Sequence, residues 1–213
     1  MKRLARVDLT WTAKLAYVIG VITTDGNLSP DGRHINITSK DYEMVVSIRK
    51  LLKLKNKIGK KARGGSQAKI YSVLQFGDIN FYEFLLSIGL MPAKSKTLKA
   101  LSIPRTYFVD FLRGCIDGDG SIGAFKHPES RFPQIRVRLV SASPSFLMWM
   151  LHSVQTVLRI KGGYVYKNKN SSVSTLSFGK EDSRKIISLM YYEKSVPALA
   201  RKRKRARALL RGE

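Results

Sequence analysis

The chain is written twice, and that limits the folds open to it more than any other feature of its sequence. The segment AKLAYVIGVITTDGNL in the first half and VDFLRGCIDGDGSI in the second each set an apolar run ahead of an Asp-Gly pair. Aligning those pairs lays Asp25 on Asp119, Gly20 on Gly114 and Ile22 on Ile116, an offset of 94 residues (119 − 25). Further along, INITSKDYEMV resembles RLVSASPSFLM and SVLQFGD resembles STLSFGK. These lay Ser39 on Ser141 and Phe76 on Phe178, an offset of 102 residues (141 − 39). The second copy therefore carries eight extra residues after its motif, around FKHPESRFP. Three matches in one order argue for duplication. The join falls near PAKSKTLKALSIP, which divides the chain into lobes over 1–96 and 97–213.

Both halves predict the same elements. A helix runs up to each Asp-Gly, near Thr12–Thr24 and Pro104–Gly118, with Pro104 in its favoured first-turn place. Strands follow: RHINIT puts Ile35 and Ile37 on one face, and QIRVRLV puts Ile135, Val137 and Leu139 on one face. The helices YEMVVSIRKLLKL and PSFLMWMLHSVQTVL come next. After them stand the strands KIYSVLQF and VSTLSF, behind the turns RGGSQ and KNKNSS, and each half closes on a helix, INFYEFLLSIG and DSRKIISLMYY. The expectation is an α+β fold of two pseudo-symmetric lobes, each a helix-backed antiparallel sheet.

The acids at the helix ends carry the chemistry. A helix C-terminus already bears unpaired carbonyls and partial negative charge, so an Asp there has the wrong sign for a cap. A lone Asp-Gly is an ordinary helix stop, but this one recurs in a duplicated frame. Gly20 and Gly114 each cost about 1 kcal/mol in a helix interior, which is understandable where the two helices approach closely. Packing them side by side brings Asp25 and Asp119 together, and carboxylates ~6 Å apart repel by roughly 3 kcal/mol at an effective dielectric near 20. A hard divalent cation held by both carboxylates, with the carbonyls of Thr24 and Gly118, would neutralise them. Asp117 stands opposite Thr23 and is read as secondary.

Charge names the partner. With 39 Lys and Arg against 15 Asp and Glu, the net charge of +24 calls for a polyanion, nucleic acid before membrane. Metal-activated water attacking a phosphodiester fits a basic protein. One cysteine, Cys115, excludes an internal disulfide and reads as core. The histidines His34, His127 and His152 show no ligand spacing. Lys2, Arg3 and Arg6 ahead of LAYVIGVI imitate a signal peptide, but Lys14 interrupts the pattern and the run recurs inside the chain, so it is read as a structural helix. No run approaches the ~18 apolar residues of a membrane span. The expectation is a soluble intracellular protein, with cytoplasm, nucleoid and organelle not distinguished.

VIGVITTDG and LRGCIDGDG resemble two degenerate copies of the motif that names the LAGLIDADG homing endonucleases. The resemblance implies a monomer with motif helices at the lobe interface and a saddle of two sheets on double-stranded DNA. It implies metal-dependent cutting of both strands of a long pseudo-palindromic or asymmetric target, with short 3′ overhangs. Mg²⁺ would be the cofactor, with Mn²⁺ substituting and Ca²⁺ binding without supporting cleavage. The metal acids of the family fall on Asp25 and Asp119. Thr23 departs from the pattern, since the family often has an acid there. The basic residue that follows each closing helix in the family is carried over to Lys94 and Lys202.

The outward rows of the strands would meet the DNA. Arg136 and Arg138 suit guanine edges and Gln134 suits adenine, with His34 and Asn36 their first-half counterparts. Leu74 and Phe76 point inward, so Tyr71 and Gln75 point out; Thr175 and Ser177 stand in the second half, and Tyr164, Tyr166 and Asn168 form a further row. The lysines of KLKNKIGKKAR and YKNKN hold phosphates, as does the run RKRKRAR. The rival readings are an intron maturase bound to host intron RNA, a DNA-binding regulator that does not cut, and a structural RNA binder. Retention of both motif acids favours the nuclease.

Overall fold

The Thr12 hydroxyl accepts the Leu15 amide at 3.1 Å and starts helix α1 (Ala13–Asp25). The computed structural model describes residues 6–63, 66–125 and 133–211 of the chain. α1 is almost wholly apolar from Leu15 to Ile22 and is buried on every side, as a helix at the centre of a fold must be. Its counterpart is α4 (Phe108–Asp119). The single helix expected from Pro104 is divided there. Pro104 precedes a 3-10 turn at Arg105–Tyr107, and the α-helical repeat begins only at Phe108; a tight first turn is a common way for a helix to begin.

α1 and α4 pack directly on each other through their glycines. A Cβ on Gly20 would lie 2.2 Å from the Phe111 carbonyl oxygen, and one on Gly114 would lie 2.1 Å from that of Tyr17. No flexible side chain intervenes at either point, so only glycine allows this separation. Around the contact, Ile19, Ile22, Phe111 and Cys115 are fully or almost fully buried.

Each of these helices runs straight into a strand. β1 (Gly26–Leu28), β2 (His34–Ser39), β3 (Ile58–Arg63) and β4 (Ser66–Gly77) form an antiparallel sheet in the order β1-β2-β4-β3. β5 (Gly120–Phe125), β6 (Gln134–Ser141), β7 (Tyr164–Lys167) and β8 (Ser174–Ser177) repeat it as β5-β6-β8-β7. β5 outlasts β1 because the extra residues lengthen its hairpin: Phe125 pairs with Gln134, whereas Leu28 already pairs with Ile35. Residues 126–132, within the longer hairpin, and the turn glycines 64 and 65 lie outside the described residues. One face of each sheet is core, with Ile35, Ile37, Leu74 and Phe76 in the first and Ile135, Val137, Leu139 and Leu176 in the second.

Helices α2 (Tyr42–Leu51) and α3 (Ile79–Ser87) belong to the first half, and α5 (Pro144–Leu158) and α6 (Lys180–Met190) to the second. The architecture is α+β with two pseudo-symmetric lobes. The run RKRKRAR is part of a further helix, α7 (Ala200–Arg211), which has no first-half counterpart among the described residues and buries Lys202, Ala206 and Leu209. α7 packs beside β5, where the Arg205 Nε donates to the Ile122 carbonyl at 3.0 Å. No helix among the described residues is long and apolar enough to cross a membrane.

Candidate active site

Because α1 and α4 touch along their glycines, their C-terminal ends meet. At that meeting point a Cβ on Gly118 would lie 1.9 Å from the Thr24 hydroxyl oxygen and 3.6 Å from the Asp25 carboxyl carbon. Asp25 and Asp119 open into one cleft of about 590 Å³, which is also lined by Lys94, Asn27, Thr38, Lys61, Tyr71 and Ser141. Burial, and then the like charge of Asp119, push the Asp25 carboxyl up to about 7, against the pull of Lys202 and Lys94. The repulsion expected from the sequence is therefore present.

The two lysines named from the sequence arrive at equivalent places. Lys94 donates to the Gly26 carbonyl and Lys202 donates to the Gly120 carbonyl at 2.7 Å. Gly26 and Gly120 are matched residues of the two halves, each following its aspartate. Both ammonium groups are buried, yet their surroundings differ. Lys94 lines the cleft, and burial lowers it to about 8, with Asp119 and Asp25 opposing that fall. Lys202 caps α4 as well, donating to the carbonyls of Ile116 at 2.5 Å, Asp117 at 2.8 Å and Gly118 at 3.4 Å. Burial lowers it too, with Asp117 the first of the acids that oppose the fall.

A hard divalent cation fits the donors that remain. Two carboxylates converge on a cleft, and the raised Asp25 marks negative charge that a cation would relieve. No group of three His, Cys, Asp or Glu gathers among the described residues. Of the two carbonyls assigned to the metal, that of Gly118 is less open than the sequence implied. The Gly118 carbonyl faces the Lys202 ammonium, and the Thr24 hydroxyl turns back to Val21 and Gly20 at 3.1 and 3.3 Å. Asp117 points away from the cleft. Its Oδ2 accepts the Tyr17 hydroxyl at 3.0 Å and the Leu199 amide at 2.7 Å.

The sheet faces that flank this cleft carry the other named residues. In the second half Arg138 pairs with Ser177, Val140 with Thr175, Tyr164 with Ser177 and Tyr166 with Thr175, so all share the face of Arg136. Tyr164 and Tyr166 are exposed, 53% and 38%, and their rings lie 5.7 Å apart. Thr175 and Ser177 are not open as expected. They are 3% and 0% exposed beneath their longer neighbours, and Thr175 donates to the Asn168 side chain at 2.9 Å. Gln134 and Arg136 are half-buried on β6. In the first half Asn36 pairs with Gln75, and Tyr71 pairs with Lys61 under the Lys40 ammonium, 5.6 Å from the ring centre. His34 is committed to the Asp31 carboxylate at the sheet margin.

Sequence reasoning missed the contacts between halves. Arg201 of α7 makes a two-pronged pair with Asp41 at the start of α2, at 2.9 and 2.7 Å, across 160 residues of chain. Nothing local signals such a pair. Arg113 was visible as a charge within an apolar helix. It is fully buried, pairs with Asp110, and donates to the carbonyls of Pro197 at 2.7 Å and Met190 at 2.6 Å.

Comparison with known proteins places the fold. Residues 12–89 match the LAGLIDADG-like domain family. The homing endonuclease I-DmoI in complex with DNA and Ca is 17% identical with a TM-score of 0.59, over 92% of this chain and 96% of that one. The homing endonuclease I-WcaI bound to its DNA recognition sequence is 11% identical with a TM-score of 0.62, over 92% and 88%. The full-length DUF199/WhiA protein from Thermatoga maritima is 15% identical with a TM-score of 0.58, over 99% of this chain and 64% of that one. At these identities the likeness carries the fold. No curated protein matches the chain in sequence.

Proposed function

We propose that the chain is a single-chain, two-motif member of the LAGLIDADG family and a site-specific, metal-dependent DNA endonuclease; the match of residues 12–89 to that family and the fold shared with solved homing endonucleases support the reading. The observation that carries the reading is the convergence of Asp25, Asp119 and Lys94 on one cleft between two sheets of a chain with net charge +24. Asp25 and Asp119 would hold Mg²⁺, which supplies an activated water and neutralises charge on the phosphate. The residues of the chain do the rest. The β6 and β7 face and the β2 and β4 face hold the duplex over the cleft. Lys94, charged below about pH 8, stabilises the negative charge that builds on the scissile phosphate. The two aspartates follow the pseudo-twofold, so each strand presents its phosphate to one of them, and staggered breaks with short 3′ overhangs are the expected product.

A regulator that binds without cutting is the second reading, favoured by the fit of nearly the whole chain to a WhiA protein. The deciding experiment exposes a randomised duplex library to the protein and Mg²⁺ and sequences the cut ends. The nuclease reading expects one long recurring site cut on both strands; a site enriched by binding alone, with no cut ends, would favour the regulator.

Two further outcomes follow from the basic surface. Affinity for the selected site should fall with salt, log K dropping by about 0.9 per neutralised phosphate against log salt. A gel-shift series at rising KCl checks this, and a flat response would remove phosphate contact as the source of affinity. Arg138→Ala should relax base preference at a few positions, at a cost of about 1–3 kcal/mol where a bidentate pair is lost. If binding to all sequences weakened equally, Arg138 would hold backbone instead.

A further inference from the structure

We propose that Asp117 is the positioning residue for Lys202, and that it thereby controls the cutting of one strand and not the other. The proposal rests on the endonuclease reading and goes beyond it, because it assigns work to a motif acid that faces away from the cleft.

Asp117 is buried, and both donors it receives fall on one oxygen: the Tyr17 hydroxyl and the Leu199 amide bond to Oδ2, while Oδ1 has no partner among the described residues. A half-satisfied buried carboxylate is costly. The matched residue of the first half avoids that cost, since the Thr23 hydroxyl donates to the Ile19 carbonyl of its own helix at 2.8 Å. The carboxylate is therefore explained by what it holds.

What it holds is the start of α7. The Leu199 carbonyl accepts the amides of Lys202 and Arg203, both at 3.0 Å, so Leu199 is the residue that opens the helix. Asp117 fixes its amide. Lys202 follows within one turn, and its ammonium is thereby delivered to the carbonyls of Ile116, Asp117 and Gly120. Arg113, four residues before Asp117, ties down the same approach segment through the Pro197 and Met190 carbonyls.

The first half has no such device. Ile19 and Thr23 stand where Arg113 and Asp117 do. Lys94 instead lies in a short turn, where its carbonyl accepts the amides of Thr97 and Leu98 at 3.1 and 2.9 Å. Loss of Asp117 should therefore reach Lys202 and leave Lys94 where it is.

The test uses a duplex carrying the selected site, with each strand labelled in turn and its cleavage followed on a denaturing gel. Asp117→Thr installs the first-half residue, which can satisfy itself along the helix. It should slow one strand by about ten- to hundredfold, the loss expected from a displaced charged group, so that nicked product accumulates. Lys202→Met should slow the same strand. Asp117→Asn, which keeps an acceptor for the Leu199 amide, should return that strand toward the parent rate. Amide exchange should show Leu199 protected in the parent and in Asp117→Asn, and unprotected in Asp117→Thr. Asp117→Ser takes the place of Asp117→Thr if the latter does not fold. Equal slowing of both strands, no slowing of either, or an unchanged Leu199 amide would overturn the proposal. A parent protein that cuts neither strand would overturn the endonuclease reading instead, and the exchange data alone would then decide whether Asp117 holds the start of α7.

Discussion

Gly114→Ala is expected to destabilise the protein by at least about 2 kcal/mol although it replaces glycine by the best helix former. By propensity alone the change should add about 1 kcal/mol to stability. The added methyl would stand 2.1 Å from the Tyr17 carbonyl and 3.0 Å from both the Gly20 Cα and the Val21 amide nitrogen. All three are backbone atoms of α1, so relief requires one whole helix to move off the other. Gly20→Ala meets the matching obstacle at Phe111, Gly114 and Cys115. Because both methyls force the same separation, the double variant should lose less than the sum of the two. Urea midpoints measure all three. The same separation pulls the ends of α1 and α4 apart, so cleavage should fall further than the loss of folded protein explains. A Gly114→Ala protein more stable than its parent would mean that the helices are not packed through these residues.

The glycines were legible because they break a rule inside an apolar helix twice, at matched positions. The same duplication revealed Asp25, Asp119 and the two-lobed α+β fold. Lys94 and Lys202 could be placed only through the family resemblance, since a lysine in PAKSK looks like a solvated linker. The difference between them could not be read at all. It depends on α7 folding back beside β5, which is a tertiary event, and a run such as RKRKRAR hides the alternation of buried and exposed positions that makes it a helix. Thr175 and Ser177 show a similar limit. Alternation assigned their face correctly, but not the cover supplied by larger neighbours on β6 and β7. The Arg201–Asp41 pair joins residues with no relation in sequence, and only the docking of α7 against the other half brings them together.

Asp25→Asn and Asp119→Asn should each abolish double-strand cleavage while leaving fold and DNA binding in place. Both acids sit at helix C-termini, where the charge is unwelcome without a cation. Asp25 shows the cost directly. Its carboxyl is raised from 3.8 to about 7 by burial and by Asp119. Between those two values the unfolded chain has released a proton that the fold retains, so the parent loses stability as pH rises through that window and carries the full deficit above it. Asp25→Asn lacks this loss. It should match the parent near pH 4 and exceed it at pH 8 by an amount on the order of a few kcal/mol, measured by urea unfolding without metal. Mg²⁺ at pH 8 should close the gap by stabilising the parent alone.

A supercoiled plasmid carrying the selected site puts the central claim to its most direct test. Parent, Asp25→Asn and Asp119→Asn are first matched for site binding in Ca²⁺ and then supplied with Mg²⁺. The parent should convert the plasmid to linear DNA, and neither variant should yield any linear product. Linear DNA from both variants at the parent rate would show that Asp25 and Asp119 are not the catalytic pair.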